Sequence, residues 1–355
     1  MPSIEYPRAN PGIAALSVAA IAMLTCQSPP AQAASAPAVL GEAPVCEPSG
    51  LVRAPWDPRL FVVADDDQAG ALYGYVLEHG SFRGQSVLDM PAGNRPRDIE
   101  ALATVEDDLL VAGSYSRSSS CQPKSKRRRM RILSWNGEKL ESTRAFGTSD
   151  AEWAHITRSV EGCQAALLTK PEIAGGRAFC EALVAGENAA TAGSCTALNI
   201  EGAAAVTAES SGERSRVWLG LRSPLVEGRA ALIRLTPGLD EFKLDRIRLI
   251  DLGGRGIRSL THDVHQLWGI AGPTQDADEP FLLWSLDAAR LATNDALIPV
   301  IHWSNLPTSA EGILIDGGVA RGVVDGRKPE NEDASPPQKC RKPAGQFHLP
   351  VDPSD

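Results

Sequence analysis

Three short acidic sequences recur along the chain at intervals of about one hundred residues. They are Asp98-Ile99-Glu100-Ala101-Leu102, Asn199-Ile200-Glu201-Gly202-Ala203 and Ala310-Glu311-Gly312-Ile313. Side chains alternate between the two faces of a β-strand, so Asp98 and Glu100 would share one face. Asn199 and Glu201 repeat that arrangement in the second sequence. The pattern predicts one structural position that is repeated along the fold, with glutamates that converge.

Converging carboxylates repel one another unless positive charge is placed between them. One solution is calcium, which prefers six to eight hard oxygen ligands. The predicted metal ligands are Asp98, Glu100, Asn199, Glu201 and Glu311. The other solution is direct pairing with Arg222, Arg255 and Arg258, which could also bind a ligand. The sequence leaves three alternatives open: an ion-paired plug, a metal or small-ligand site, and positions that are unrelated to one another.

A catalytic form of this site can also be stated. A bound cation would polarise a phosphoester or carboxylic ester, a glutamate would activate water, and Arg222 or Arg258 would stabilise the developing charge. The chain has no G-x-S-x-G nucleophile motif and no zincin histidine pair. His262 and His265 lie three residues apart in a predicted connection, where a surface role is favoured. The catalytic residues, and whether the protein is an enzyme at all, are not determined by the sequence.

The elements that must position these residues are short strands. Apolar or alternating segments separated by Gly, Pro, Asn and Asp predict strands at residues 60–64, 109–112, 165–169, 217–221, 231–235, 267–271 and 281–286. About 270 residues of this pattern exceed one sandwich and favour an all-β propeller with blades of roughly 40 to 50 residues. Glu100 to Glu201 spans 101 positions and Glu201 to Glu311 spans 110, or about two blades each.

Two further candidate positions of the repeat, which we call anchors, lie near the midpoints of these intervals, at residues 154–157 and 256–260. Together with a first strand that ends in Asp65-Asp66-Asp67, they raise the number of predicted blades to six. We therefore expect six blades, with five or seven as alternatives. The predicted propeller domain covers residues 50–325, after an N-terminal linker at 34–49. The polar stretch at 326–355 has little to bury, so we expect a largely disordered tail unless Cys340 holds it.

The first residues predict export. Residues 13–24 form an apolar run of about 12 residues, too short to span a bilayer, and Ala31-Gln32-Ala33 fits signal peptidase. We expect a signal peptide at residues 1–33 and a periplasmic or extracellular mature protein with no membrane span. Lipidation at Cys26 is less favoured, because Thr25 is bulkier than the residue usually found before a lipidated cysteine.

Six cysteines follow the predicted signal peptide, which favours disulfide bonds in an oxidising compartment. They permit 15 pairings. Cys180 with Cys195 would close the shortest loop, and Cys46 with Cys340 would join the two ends. No C-x-x-C spacing is present, which disfavours zinc binding and redox catalysis.

The charge balance limits the partners. The chain has 35 basic and 44 acidic residues, a net charge of −9, which argues against nucleic acid. A basic segment at residues 116–131 could contact an anionic surface, but without interleaved aromatic residues we favour a solvated loop. We expect a monomer whose partner is a protein or small-molecule ligand.

Several ordered sequences resemble the bacterial family known as domain of unknown function 3616. The resemblance runs from about residue 61 to 325 and is carried by the three acidic sequences and by residues 61–67, 112–117, 220–224, 253–260 and 270–273. Tyr115 stands where that family usually has a histidine, and only Asp325 remains of an acidic pair. The acidic sequences are also similar to those of esterase-like phytase propellers. The resemblance implies a propeller but no agreed activity.

The sequence therefore leaves two classes of function. The first is a secreted or periplasmic binding or scaffold propeller with an acidic and arginine-containing channel site that could hold calcium. The second is a hydrolase that uses the same channel site on a phosphoester or carboxylic ester. Substrate, partner and disulfide connectivity are beyond what these patterns determine.

Overall fold

Twenty strands form five four-stranded antiparallel sheets in the described part of the chain. The structure is a computed structural model that describes residues 38–41, 45–66, 68, 70–93, 95–118, 120–168, 170, 173–189, 197–207, 215–235, 242–275, 277, 279–326 and 344–351. The predicted signal peptide, Cys26, Cys195 and Cys340 lie outside these residues.

In blades one and two the strands follow chain order from the inside outwards. Blade one consists of β2 (Pro48–Arg53), β3 (Leu60–Asp65), β4 (Ala71–Glu78) and β5 (Ser81–Asp89). Blade two consists of β6 (Ile99–Val105), β7 (Asp108–Gly113), β8 (Arg129–Trp135) and β9 (Leu140–Gly147).

Blades three and four repeat this order. Blade three consists of β10 (Asn199–Val206), β11 (Arg216–Ser223), β12 (Ala230–Leu235) and β13 (Leu244–Ile250). Blade four consists of β14 (Gly256–Asp263), β15 (Gln266–Gly272), β16 (Phe281–Asp287) and β17 (Val300–Leu306), with a 3-10 turn at Ala288–Leu291.

Blade five is built from both ends of the described chain. Its order from the inside is β18 (Ala310–Ile315), β19 (Val319–Val324), β20 (Gly345–Pro350) and the short β1 (Ala38–Val39). The prediction of a disordered tail is therefore wrong for residues 345–350, and the propeller extends beyond the predicted 50–325. The error arose because Gly345, Phe347 and Leu349 form a buried alternating strand that the polar composition around them obscured.

The all-β propeller is confirmed, with five blades rather than the favoured six. The interval from Glu100 to Glu201 holds one blade and three helices, α1 (Asp150–Ile156), α2 (Val160–Leu167) and α3 (Gly176–Ala189). The anchor at residues 154–157 thus lies in and just after α1, and the predicted strand at 165–169 begins inside α2. Ser149 and Glu152 form a capping box that starts the first helix, a local signal that outweighs the apparent period.

The helices pack on the propeller through an apolar cluster. Trp153 of α1 and Phe179 and Leu183 of α3 are buried together with Leu219 and Ile247 of blade three. Cys163 and Cys180 form a disulfide between α2 and α3, so the predicted Cys180–Cys195 pair is wrong. Both sulfurs belong to fully buried residues on facing helices, which brings them together across a sequence separation of 17.

Two other cysteines, Cys46 and Cys121, are also disulfide-bonded. The predicted Cys46–Cys340 pair stays a prediction because Cys340 is not described. In the described residues, no helix combines the length and the apolar character needed to cross a bilayer.

Candidate metal and ligand site at the channel entrance

The inner strands β2, β6, β10, β14 and β18 pack side by side in a closed ring around the central channel. We call the end of the channel where these strands begin the entry end. Near its start each strand has an irregularity in its pairing with the next strand of the blade, where one extra residue is inserted. A β-bulge of this kind re-aims the extra side chain. The residues at this equivalent position are Ser49, Glu100, Glu201, Arg258 and Glu311.

The small residue after each of these positions lets neighbouring blades approach closely. A Cβ on Gly202 would lie 2.8 Å from the backbone nitrogen of Leu260, and a Cβ on Gly312 would lie 2.9 Å from Cβ of Leu51. Leu260 and Leu51 are the apolar third residues of the same motif in adjacent inner strands. The recurring glutamate, small residue and apolar residue therefore encode the packing of one inner strand against the next.

Glu201 and Glu311 belong to a buried ion-pair network centred on Arg258, which we call the plug. Arg258 Nε lies 2.9 Å from Glu201 Oε2, and its guanidinium also donates to both carboxylate oxygens of Glu311. Arg222 Nη1 and Asn199 Nδ2 donate to Glu201 Oε1 at 3.1 and 2.7 Å. Both glutamates are only 3% exposed, so these contacts replace water.

The pKa values of the plug residues depend on one guanidinium, that of Arg258, which is shared between two carboxylates. Burial alone would lower the pKa of Arg258, but Glu201 and Glu311 raise it overall, so the arginine stays charged. Burial raises the pKa of Glu311 to about 7, although Arg258 opposes the change. Burial and then Glu311 also raise the pKa of the neighbouring Asp325 well above its usual range. The plug and the neighbouring Asp325 therefore contain more carboxylates than arginines.

A second group, Asp66, Asp98 and Glu100, forms what we call the acidic cluster. One carboxylate oxygen from each lies within 4.8 Å of the others. Ligands on opposite sides of a calcium ion lie about 5 Å apart, given ligand distances of about 2.3 to 2.6 Å, so the spacing fits a shared ion. Asp66 follows β3, Asp98 precedes β6 with a left-handed φ of 55°, and Glu100 is the bulged residue.

Asp98 is held in place by residues of the basic segment. Arg127 Nη2 lies 2.9 Å from Asp98 Oδ1, and Ser116 Oγ donates to Oδ2 at 3.0 Å. Ser114 Oγ donates to the same oxygen. Burial raises the pKa of Asp98, and Arg127 and the serines oppose that change.

Glu100 has no hydrogen-bond or ion-pair partner among the described residues. Burial raises its pKa well above the usual range, and Glu201, Asp98 and Asp66 add to the effect. A carboxylate placed among other carboxylates without a donor either binds a proton or binds a cation.

The ion pairs at the entry end lead to the same conclusion, that a carboxylate there needs a proton or a cation. Arg127, Arg222 and Arg258 form ion pairs with Asp98, Glu201 and Glu311, whereas Glu100 and Asp325 form no ion pair with a described residue. One of these two acids, Glu100, belongs to the acidic cluster, whereas Asp325 neighbours Glu311 of the plug. A cavity of about 400 Å³ opens beside both groups, bounded by Glu100, Arg117, Arg127 and Arg222 and by Thr274 and Gln275.

The structure divides the predicted ligand set between the two groups. Asp98 and Glu100 are in the acidic cluster, whereas Asn199, Glu201 and Glu311 are in the plug with Arg222 and Arg258. Arg255 is outside both, because its Nε donates to the carbonyl of Pro280 at 3.3 Å. Asn199 and Glu201 are close to each other, as strand alternation predicted.

Sequence reasoning missed several residues of the site. The sequence indicates Asp66 only as part of an acidic run, and it predicts that Arg127 lies in a solvated loop. The described residues up to Arg128 do form a loop, but the prediction that it is solvated is wrong for three arginines: Arg127 binds Asp98, Arg117 binds Glu187 of α3 at 2.7 Å, and Arg128 is buried against Asp150. Tyr115 is fully buried and stacks on Phe242, away from the carboxylates.

No curated protein matches this sequence. Solved structures of similar fold include a candidate oxidoreductase (glucose dehydrogenase) from Thermus thermophilus, at 13% identity and a TM-score of 0.42 over 88% of this chain and 98% of that chain. Another is a GH43 β-1,3-galactosidase with galactodeoxynojirimycin, at 8% identity and a TM-score of 0.47 over 90% of this chain and 95% of that chain. Likeness at these values carries no argument about activity.

The weaker similarity to esterase-like phytase propellers is not confirmed by these comparisons. Residues 189–311, which run from the end of α3 to the start of the last inner strand, match the family model described as Protein of unknown function (DUF3616), so the resemblance seen in the sequence is confirmed.

Proposed function

We propose that this protein is an exported binding propeller whose entry end holds a calcium ion in the acidic cluster. Asp66, Asp98 and Glu100 would supply the protein ligands, and the cavity beside them would admit the ligand or partner. The observation that carries the proposal is the convergence of three carboxylate oxygens within 4.8 Å of one another. The disulfide between Cys163 and Cys180 supports an oxidising compartment and therefore export.

Calcium is favoured over magnesium by the shape of the site. The three carboxylates come from the end of one strand, the residue before another and a β-bulge, so they form an irregular set. Calcium accepts irregular oxygen geometry, whereas magnesium demands a near-ideal octahedron and keeps several waters. Arg127, which already binds Asp98, limits the cation to the remaining oxygens.

Isothermal titration calorimetry of chelator-treated protein tests the proposal. We expect one calcium per chain, and a rise in melting temperature that corresponds to about 2.7 kcal/mol at one hundred times the dissociation constant. Magnesium at the same concentration should produce a smaller shift. If the melting curves with calcium and with chelator coincide, and elemental analysis finds no stoichiometric metal, the metal site does not exist.

The cavity beside the cluster favours hydrolysis as the second candidate. It joins carboxylates to Arg117, Arg127 and Arg222 in about 400 Å³, a volume suited to a small substrate. Glu100, with its raised pKa, would act as general base on water, and the arginines would bind the anion that develops. Phosphoester and carboxyl-ester panels test this, and any turnover that survives Glu100→Gln would exclude Glu100 as the base.

A further inference from the structure

A second cavity lies between blades three and four at the opposite end of the channel, where the inner strands finish. It has a volume of about 530 Å³, within the range of small-molecule sites. Three arginines and two histidines line it: Arg216, Arg234, Arg246, His262 and His265. None of the described residues that line it is acidic. On a chain whose net charge is −9, this is a local concentration of positive charge.

Blade three places like charges directly opposite one another in this cavity. Arg234 on β12 pairs in register with Arg246 on β13, and Trp218 on β11 is the partner of Arg234 on its other side. Like charges directly opposite each other across a sheet are destabilising. Arg216 precedes Trp218 by two residues and so lies on the same face of β11.

Contacts within the protein use only some of the N–H donors of the Arg234 and Arg246 guanidinium groups. Arg234 donates from Nε to Asp245 Oδ1 at 2.5 Å and stacks over Trp218, whereas Arg246 donates from Nη1 to three carbonyls at the end of the 3-10 turn. Among the described residues, Nη1 and Nη2 of Arg234 and Nε and Nη2 of Arg246 have no acceptor. The two side chains are therefore fixed in direction while four of their six guanidinium nitrogens are left for another group.

Burial makes this arrangement costly for the protein alone. Arg246 is half-buried, and burial followed by repulsion from Arg234 lowers its pKa. Blade four closes the other side of the cavity with the two histidines and an apolar surface at Val264, Ala288, Ala289, Leu291 and Ala292, to which Val206 of blade three adds. The cavity therefore joins an anion-binding wall to an apolar wall.

We propose that this cavity binds a small organic phosphate. The phosphate would accept hydrogen bonds from Arg234 and Arg246, with Arg216 adding positive charge and the histidine rings adding N–H donors, and its organic part would contact the apolar wall. Guanidinium groups bind phosphate oxygens through paired, charge-assisted hydrogen bonds. A dianion matches several guanidinium groups better than a single carboxylate does. This site is separate from the acidic cluster and does not require calcium there.

Calorimetry with phenyl phosphate at low salt tests the site. We expect the full-length protein to bind one phenyl phosphate with a dissociation constant below roughly 1 mM, more tightly than inorganic phosphate, and not to bind phenol. Arg234→Gln and Arg216→Gln should each weaken binding about tenfold. Arg255→Gln removes the same charge outside the cavity and should leave binding unchanged.

Two variants are used because Arg234→Gln also releases Asp245, so Arg216→Gln still reports if the first variant unfolds. Melting curves without ligand identify any loss of folding. The proposal is overturned if the wild-type protein does not bind phenyl phosphate, or if both folded variants bind it as tightly as wild type does. Equal binding by Arg255→Gln and the cavity variants would show that net charge alone drives the interaction.

Discussion

The plug and the acidic cluster use the same bulged position of the inner strands but differ in what neutralises the glutamate. Glu201 and Glu311 share Arg258, and Glu201 also binds Arg222. Glu100 faces Asp66 and Asp98, with no described donor of its own. One sequence motif has thus produced a structural ion pair in two blades and a candidate cation site in another.

The difference shows that the motif itself encodes blade packing, and that its neighbours determine its chemistry. The small residue and the apolar residue carry the packing, which leaves the first position free to vary. Blade four has Arg258 there, and that single arginine forms ion pairs with the glutamates on both sides. Blade two lies beyond its direct reach, so the charge of Glu100 needs another partner.

The largest expected effect comes from removing the centre of the plug. Arg258→Gln would leave two buried carboxylates without their shared cation, which typically costs about 3 to 5 kcal/mol when a buried pair is broken. Urea unfolding at pH 7 measures the change in free energy of unfolding. Arg255→Gln, outside the network, is the control and should change stability by less than about 0.5 kcal/mol. A similarly small loss for Arg258→Gln would mean that the plug does not stabilise the fold.

The acidic cluster should respond in the opposite direction. Glu100→Gln removes a charge that its neighbours repel, so the metal-free protein at pH 8 should become more stable by about 1 kcal/mol. The same variant should lose the calcium-induced rise in melting temperature. Glu201→Gln is the matched comparison, because it removes an identical charge from the plug and should destabilise. If both variants shift stability in the same direction, the distinction between the two groups is wrong.

Much of the fold could be predicted because packing leaves a clear pattern. Six of the seven predicted strands occur, and the inner strands contain the recurring motif. The predicted number of blades was wrong because a helical insertion has nearly the length of a blade. The capping residues Ser149 and Glu152, which begin its first helix, are a weaker signal in the sequence than the repeat interval. The strand at Gly345–Pro350 was missed because a short buried segment in polar surroundings gives little periodic signal.

The site was predicted less completely because its charges come from distant parts of the chain. Glu100, Glu201 and Glu311 were found by repetition, and Arg222 and Arg258 by charge balance. Nothing in the sequence shows that Arg127 folds back onto Asp98, or that Asp66 lies beside Glu100. Those contacts depend on the loop paths between blades one and two, which only the three-dimensional fold provides.

The pH dependence of stability should reveal the surplus of carboxylates. The pKa of Glu311 rises from 4.5 to about 7 on folding, so its contribution to stability is present at low pH and is lost as the pH rises between these values. Glu100 and Asp325 shift in the same direction. We expect the melting temperature of the metal-free protein to fall between pH 5 and pH 8.

Calcium separates the two groups in this experiment. If calcium binds the ionised acidic cluster as we propose, its stabilising effect should grow with pH and offset part of the fall. In Glu100→Gln the fall should be smaller and insensitive to calcium. A calcium effect that is equal at pH 5 and pH 8 would place the ion away from carboxylates with raised pKa values.

The smallest expected effect concerns Arg127, an arginine that forms an ion pair within the acidic cluster. Its guanidinium occupies one oxygen of Asp98 and repels a cation nearby, so Arg127→Gln should tighten calcium binding by about threefold. Lys126→Gln is the matched control, since Lys126 is exposed and its replacement removes the same charge from the same segment. Calorimetry at fixed ionic strength measures both. Weaker binding in Arg127→Gln would mean that the arginine positions Asp98 for the ion, and that pairing and ion binding in the acidic cluster are cooperative rather than competing.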